Sequence, residues 1–91
     1  MALRWTSVAY GDLRRIYEFL EPVNPVAASR CVGAVVARVR RIPSQPRLGE
    51  RLGGFAAREV RRVLVERYEI RYEIAGSDIV ILRIFHTRED R

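Results

Sequence analysis

Lysine is absent from this 91-residue chain, so each of its 17 basic side chains is arginine. Base composition that favours arginine codons is the bland reading of the absence, and the physical consequence holds whatever its origin. Arginine is planar, permanently charged, and binds carboxylate or phosphate through two parallel hydrogen bonds. Cysteine and histidine occur once each, as Cys31 and His86. A lone thiol excludes an internal disulfide. One thiol and one imidazole exclude any zinc site not built mainly from carboxylates, and no metal or other cofactor is expected. No apolar run approaches the ~18 residues of a membrane span. Met1-Ala2-Leu3-Arg4-Trp5-Thr6 lacks the apolar region of a secretory signal. The chain is therefore expected to be cytoplasmic, with no membrane partner. A phosphate-cradling glycine loop is also missing. Gly53-Gly54 reads as a flexible turn, outside any strand-loop-helix unit that binds nucleotides.

What is present belongs to a folded domain. Hydrophobic residues make up 48% of the chain and charged residues 31%, with a formal net charge of +6. Residues 1–91 are expected to form one domain. A chain of this length buries about 60–65% of its unfolded surface, which leaves little room for a deep, enclosed active site. The basic surplus favours nucleic acid, acidic proteins or anionic surfaces as partners.

Hydrophobic periodicity divides the chain into elements. Leu3–Thr6 reads as a short strand, with Ser7 as N-cap of a helix over about Val8–Glu21. Leu13, Ile16, Tyr17 and Leu20 form one apolar stripe on that helix, and Asp12, Arg15 and Glu18 lie off it. Pro22-Val23-Asn24-Pro25 breaks it. Asn24 then caps a second helix over about Val26–Arg41, with Pro25 in its first turn and Ala28, Cys31, Val32, Val35, Val39 and Ile42 on its apolar face. Within that face Cys31 reads as a small core hydrophobe. The short connection predicts an antiparallel helical hairpin.

Proline and glycine mark Pro43–Gly54 as loop, after which the period becomes two. Glu59–Glu66 is a strand. Tyr68, Ile70, Tyr72 and Ile74 alternate with Glu69, Arg71 and Glu73, predicting one buried and one wet face. Gly76-Ser77-Asp78 is a hairpin turn, and Ile79–His86 a last, central strand before a charged tail, Thr87–Arg91. The expected fold class is α+β, in the order β-α-α-β-β-β. Its N-terminal antiparallel helical hairpin packs on an antiparallel sheet.

Chemistry-bearing residues gather near the C-terminus. Alternation puts Arg83 and Phe85 on one face of the last strand, with Leu82, Ile84 and His86 on the other. Arg61 and Arg62 lie one on each face of the first meander strand, and one or both are expected to converge with the Arg83–Arg88 segment. Such a patch grips phosphates or carboxylates. Attack by a 2′-hydroxyl on RNA needs a base, an acid and charge stabilisation, and arginine supplies only the last. His86 reads as the residue that finishes a core strand. Glu59 and Glu69, the carboxylates that would serve as a base, read as solvated strand positions.

Several short motifs occur together in order. They are Trp5 with Ala9, Asp12-Leu13 and Ile16; Asn24-Pro25 with Ala27-Ala28; Pro46, Leu48-Gly49 and Arg62; Tyr68-Glu69-Ile70-Arg71-Tyr72; and Ile84-Phe85-His86-Thr87-Arg88. This pattern, across nearly the whole chain, resembles the RelE/ParE superfamily of bacterial type II toxins. The resemblance implies the same helical hairpin on an antiparallel sheet. It also implies a growth-inhibiting toxin held in a hetero-oligomer by a cognate antitoxin. RelE-like members cut mRNA in the ribosomal A site; ParE-like members poison DNA gyrase and lack the cleavage residues. Arg62 and Arg88 fit the basic positions of the nucleases, and His86 would complete a catalytic set of Arg62, His86 and Arg88. Other positions depart from that pattern. Glu69 stands where the nucleases carry arginine, Thr87 follows His86 where one nuclease pattern has tyrosine, and the sequence ends at Arg91 before a C-terminal tyrosine. The ParE-like branch, with gyrase as target, is therefore the expected one; a ribosome-dependent endonuclease is the alternative. An acidic, helical antitoxin segment is expected to dock on an apolar surface bordered by arginine, with Arg61, Arg62, Arg83, Phe85 and Arg88 as the binding residues.

Overall fold

A computed structural model describes residues 1–88. Strand β1 covers Ala2–Trp5, helix α1 Ser7–Leu20 and helix α2 Pro25–Arg41, followed by a 3₁₀ turn at Ile42–Ser44. Strands β2 (Glu50–Arg51), β3 (Glu59–Val65), β4 (Tyr68–Ala75) and β5 (Asp78–His86) complete the chain. They form one five-stranded sheet in the order β1-β5-β4-β3-β2. Its apolar face packs on the helical hairpin in a core that includes Ile16, Val35, Val39, Val63, Ile70, Tyr72 and Ile81.

The α+β class and the hairpin-on-sheet arrangement are those expected, and three features refine them. First, the sheet is mixed. β1 pairs with β5 in parallel, Leu3 opposite Ile79 and Trp5 opposite Ile81, while the other pairs are antiparallel. The long excursion through both helices allows the parallel return. Second, the Pro43–Gly54 loop contains β2, whose two residues pair with Arg62 and Arg61 of β3. A two-residue strand carries no periodicity to read. Third, β5 has a bulge. Arg71 faces Arg83, but the next residue, Tyr72, faces Ile81, which leaves Leu82 as an extra residue. That one insertion keeps Ile79, Ile81 and Ile84 all in the core, which strict alternation forbids.

The helix caps differ in how local they are. Asn24 caps α2 as expected, its side chain accepting from the Ala27 amide at 3.0 Å. α1 is capped by Thr6 and not by Ser7. The Thr6 hydroxyl accepts from the Ala9 amide at 3.0 Å and donates to the Ile81 carbonyl at 2.8 Å. One side chain thus starts the helix and ties it to β5. The buried face of α1 is Ala9, Asp12 and Ile16, with Tyr17 exposed. The stripe is rotated from the expected one because a carboxylate occupies it. Cys31 is buried and free, in the core as expected.

Tyr72 fixes the loop before β2. Its hydroxyl donates to the Pro46 carbonyl at 2.6 Å. Burial pushes the Tyr72 hydroxyl above the ordinary tyrosine range, so it remains a donor. Gly49 lies directly against this contact. A Cβ there would sit 2.5 Å from the Tyr72 hydroxyl and 2.7 Å from the Arg62 carbonyl. Gly53 has open space around it. Gly49→Ala is therefore expected to destabilise the chain by about 1–3 kcal/mol, while Gly53→Ala leaves it within about 0.5 kcal/mol. Urea unfolding midpoints of the two variants check the difference.

Candidate functional site

The sheet face turned away from the helices carries a row of charged side chains in register: Arg83 on β5, Arg71 on β4, Arg62 on β3 and Glu50 on β2. Beside it runs a second row of Phe85, Glu69 and Leu64. Glu69 was expected to be solvated; it is only 1% exposed. Its carboxylate accepts from Arg71 Nε at 2.8 Å and from Arg62 Nη1 at 3.3 Å. The Arg71 and Arg83 guanidinium groups lie 5.2 and 5.9 Å from the centroid of the buried Phe85 ring, within cation–π range. The Glu69 departure thus places a carboxylate at the centre of an arginine cluster.

A second buried carboxylate stands at the sheet edge. β1 accompanies β5 only as far as Ile81. Beyond it α1 takes the place of a strand. Asp12, 4% exposed, accepts from the Ile84 amide at 2.9 Å and from Arg83 Nε at 2.8 Å. Arg15 bonds the same carboxylate from one turn along α1. Burial would raise the Asp12 pKa, but the bonds from Arg83, Ile84 and Arg15 outweigh it and hold the carboxyl below the usual range. Sequence spacing gave no sign of this role, since Asp12 looked like a solvated helix position.

The expected nuclease residues are divided. Arg62 projects from the outer face, whereas His86 pairs in register with Tyr68 on the helix side. The His86 and Tyr68 rings meet edge to face at 5.4 Å. Arg88 is exposed in the turn after β5, its amide donating to His86 Nδ1 at 3.1 Å. Arg61 does not converge with Arg83 either. It lies on the helix side, donating to the Gly49 carbonyl at 2.7 Å and to Glu59 at 2.8 Å. Hydrogen bonds from Arg61 and Arg47 hold the Glu59 carboxyl below its ordinary range. That shift opposes service as a base at neutral pH.

Periodicity did not reveal the groove beside His86. Two adjoining pockets of about 430 and 300 Å³ share Phe19, Tyr68 and His86 as walls. Arg15 and Arg83 border the first, Arg30 and Arg67 the second. Of the expected binding residues, Arg83 lines this groove and Arg61, Arg62, Phe85 and Arg88 do not; His86, expected only in the nuclease set, is one of its walls. Phe19, a wall of both pockets, is 79% exposed, and Val23 and Val26, in the connection after α1 and the first turn of α2, are 87% and 77% exposed. The available signal was that these three apolar residues lie off both helical stripes.

The family model for the ParE toxin of type II toxin-antitoxin systems, parDE, matches residues 3–91. The chain belongs to the ParE toxin family. Its fold is similar to that of a solved structure described as a chromosomal ParDE toxin-antitoxin system from P. aeruginosa. That likeness has a TM-score of 0.80 and 27% identity over 94% of this chain and 95% of that one. It is also similar to the toxin-antitoxin complex RelBE2 from Mycobacterium tuberculosis, with a TM-score of 0.69 and 26% identity over 93% and 95% of the two chains. No curated protein sequence matches it. This member of the ParE family is thus a type II toxin by family. Among its described residues no helix is long and apolar enough to cross a membrane.

The Asp12 contact gives a pH-dependent expectation. The folded pKa of Asp12 lies below its unfolded value of about 3.9. Its contribution to stability is therefore complete above that value and is lost as pH falls through the folded one. Asp12→Asn keeps the shape and removes the charge, and is expected to cost about 1.5–3 kcal/mol at neutral pH. The gap to the native chain narrows below about pH 4. Urea unfolding across this range measures it; a gap constant with pH would mean that the charge is not its source.

Proposed function

We propose that this ParE-family chain is a cytoplasmic toxin that poisons DNA gyrase when free and is silenced by an acidic antitoxin segment. One observation carries the choice of target. Arg62 and His86, which a ribosome-dependent nuclease would need together, emerge on opposite faces of the sheet. The carboxylates near them are occupied by arginine, Glu69 by Arg62 and Arg71, and Glu59 by Arg61 and Arg47. A binding toxin needs no base–acid pair. The higher TM-score to the ParDE structure than to RelBE2 supports the same branch.

The antitoxin would occupy the groove between the end of α1 and the β4–β5 end of the sheet. Phe19 supplies an apolar anchor, with exposed Val23 and Val26 following it in the chain, and Arg15, Arg30, Arg67 and Arg83 supply a basic border in which Arg67 has no carboxylate partner among the described residues. That combination suits an amphipathic acidic helix. Arg88 extends the border, since the Thr87 amide bonds the Arg67 carbonyl at 2.8 Å. Arg62 and Phe85, on the outer face, remain candidates for contact with the target.

Two measurements test this reading. Purified gyrase mixed with the free chain is expected to lose supercoiling activity and accumulate cleaved DNA, whereas mRNA on translating ribosomes stays intact by primer extension. Cut message with unaffected gyrase would reverse the assignment in favour of a nuclease using Arg62, His86 and Arg88. Phe19→Asp is expected to weaken binding of the antitoxin encoded beside this chain by about tenfold or more, with an unchanged melting temperature. Unaltered affinity would remove the groove from the interface.

A further inference from the structure

The positive charge of this chain is concentrated in one segment. From Pro22 to Gly49 there are five arginines and no carboxylate; the other residues carry twelve arginines against eleven carboxylates. Five of the six net charges therefore lie on α2 and the loop after it. The ion pairs sharpen the contrast. Arg62, Arg71 and Arg83 on the outer face, Arg4 and Arg58 at its margins, and Arg30 and Arg47 all have carboxylate partners. Among the described residues six arginines have none: Arg67 and Arg88 at the groove end, and Arg38, Arg40, Arg41 and Arg51.

The last four belong to the end of α2 and to β2. Arg38 and Arg41 are one turn apart in the last turns of α2, on one helix face. Arg38 is near enough to the Tyr72 hydroxyl to act on it electrostatically, and that hydroxyl holds Pro46. Arg51 pairs in register with Arg61, which bonds the Gly49 carbonyl. The Pro46–Gly49 loop thus links the end of α2 to β2. At ~1.5 Å per residue, Arg40 is about 15 Å along α2 from Arg30 at the groove, so an occupant of the groove leaves this end uncovered. The helix dipole does not account for the cluster. A helix C-terminus is equivalent to about half a negative charge, and three arginines exceed it.

We propose that Arg38, Arg40, Arg41 and Arg51 form a second binding surface that holds the phosphate backbone of duplex DNA. An acidic protein would need apolar anchors inside the charged ring, and Leu48 is the exposed large hydrophobe near this end. Single strands would need stacking platforms, yet the exposed aromatic residues Tyr10, Tyr17 and Phe19 are all on α1. Charge with a single exposed hydrophobe and no exposed ring suits backbone contact, which fixes position and reads no sequence. Such a surface is independent of which enzyme is poisoned, and it suits a toxin that acts where an enzyme holds DNA.

The test needs no gyrase. Fluorescence anisotropy of a labelled short DNA duplex, titrated with the full chain, is run from about 50 to about 200 mM salt. The native chain is expected to bind with a marked salt dependence. Arg38→Gln/Arg40→Gln/Arg41→Gln should bind more weakly and flatten the log–log salt slope by about 2–3. The corresponding triple lysine variant should keep the native slope, since charge is what phosphate contact requires. Arg67→Gln/Arg88→Gln, at the groove end, should also keep it. Absence of duplex binding by the native chain overturns the proposal, as does an unchanged slope in the triple glutamine variant. Equal flattening by the groove-end pair means diffuse attraction and overturns it too. Tighter binding of poly-glutamate than of duplex assigns the surface to an acidic protein instead. Duplex binding without gyrase poisoning keeps this surface and discards the proposed target.

Discussion

One carboxylate decides how the two layers of this fold meet. β5 loses its neighbour after Ile81, and an open strand edge must find partners for its backbone groups. Thr6 takes the Ile81 and Leu82 carbonyls, and Asp12 takes the Ile84 amide. α1 is thereby set along the strand edge at a fixed rotation. Ala9 and Ile16 face inward as a result, Tyr17 faces outward, and Phe19 is left beside His86 at the mouth of the groove. Arg83 completes the arrangement by bonding Asp12 while its guanidinium also reaches over Phe85. The edge contact and the outer face are in this way continuous.

The outer face shows why an arginine-rich surface is not always an anion site. A buried charge without partners is costly, and a carboxylate surrounded by arginine is stable because each satisfies the other. Glu69 occupies that position between Arg62 and Arg71. Its presence changes the chemistry of the face, because guanidinium groups committed to a carboxylate are not aligned on a phosphate in flight. Unpaired arginines lie elsewhere, three of them at the end of a helix that has no carboxylate of its own. Charge count alone locates neither.

Small size also bears on function. A chain this short has room for one core, and here that core is filled by the two helices and the inner sheet face. What remains for function is surface: a shallow groove with apolar anchors, an ion-paired outer face and a basic helix end. These are features by which a protein binds other macromolecules. They agree with membership of a family whose members are toxins paired with antitoxins.

The sequence by itself determined the element order apart from β2, the α2 cap at Asn24 and the inward set of Val35, Val39, Ile70, Tyr72 and Ile74. Each of these follows from local rules: capping chemistry, and periods of 3.6 and 2 against a single core. The ordered short motifs likewise pointed to the toxin superfamily. Tertiary structure alone decided everything that joins distant positions. Asp12 meets Arg83 across 71 positions of sequence, so its burial had no local signature. The bulge at Leu82 depends on how β4 and β5 register, which alternation within one strand cannot express. The parallel placement of β1, the two-residue β2 and the division of Arg62 from His86 are also pairing facts. Local sequence fixes which face a side chain takes within its own element; only the assembled sheet decides which side chains share a face, and therefore which can act together.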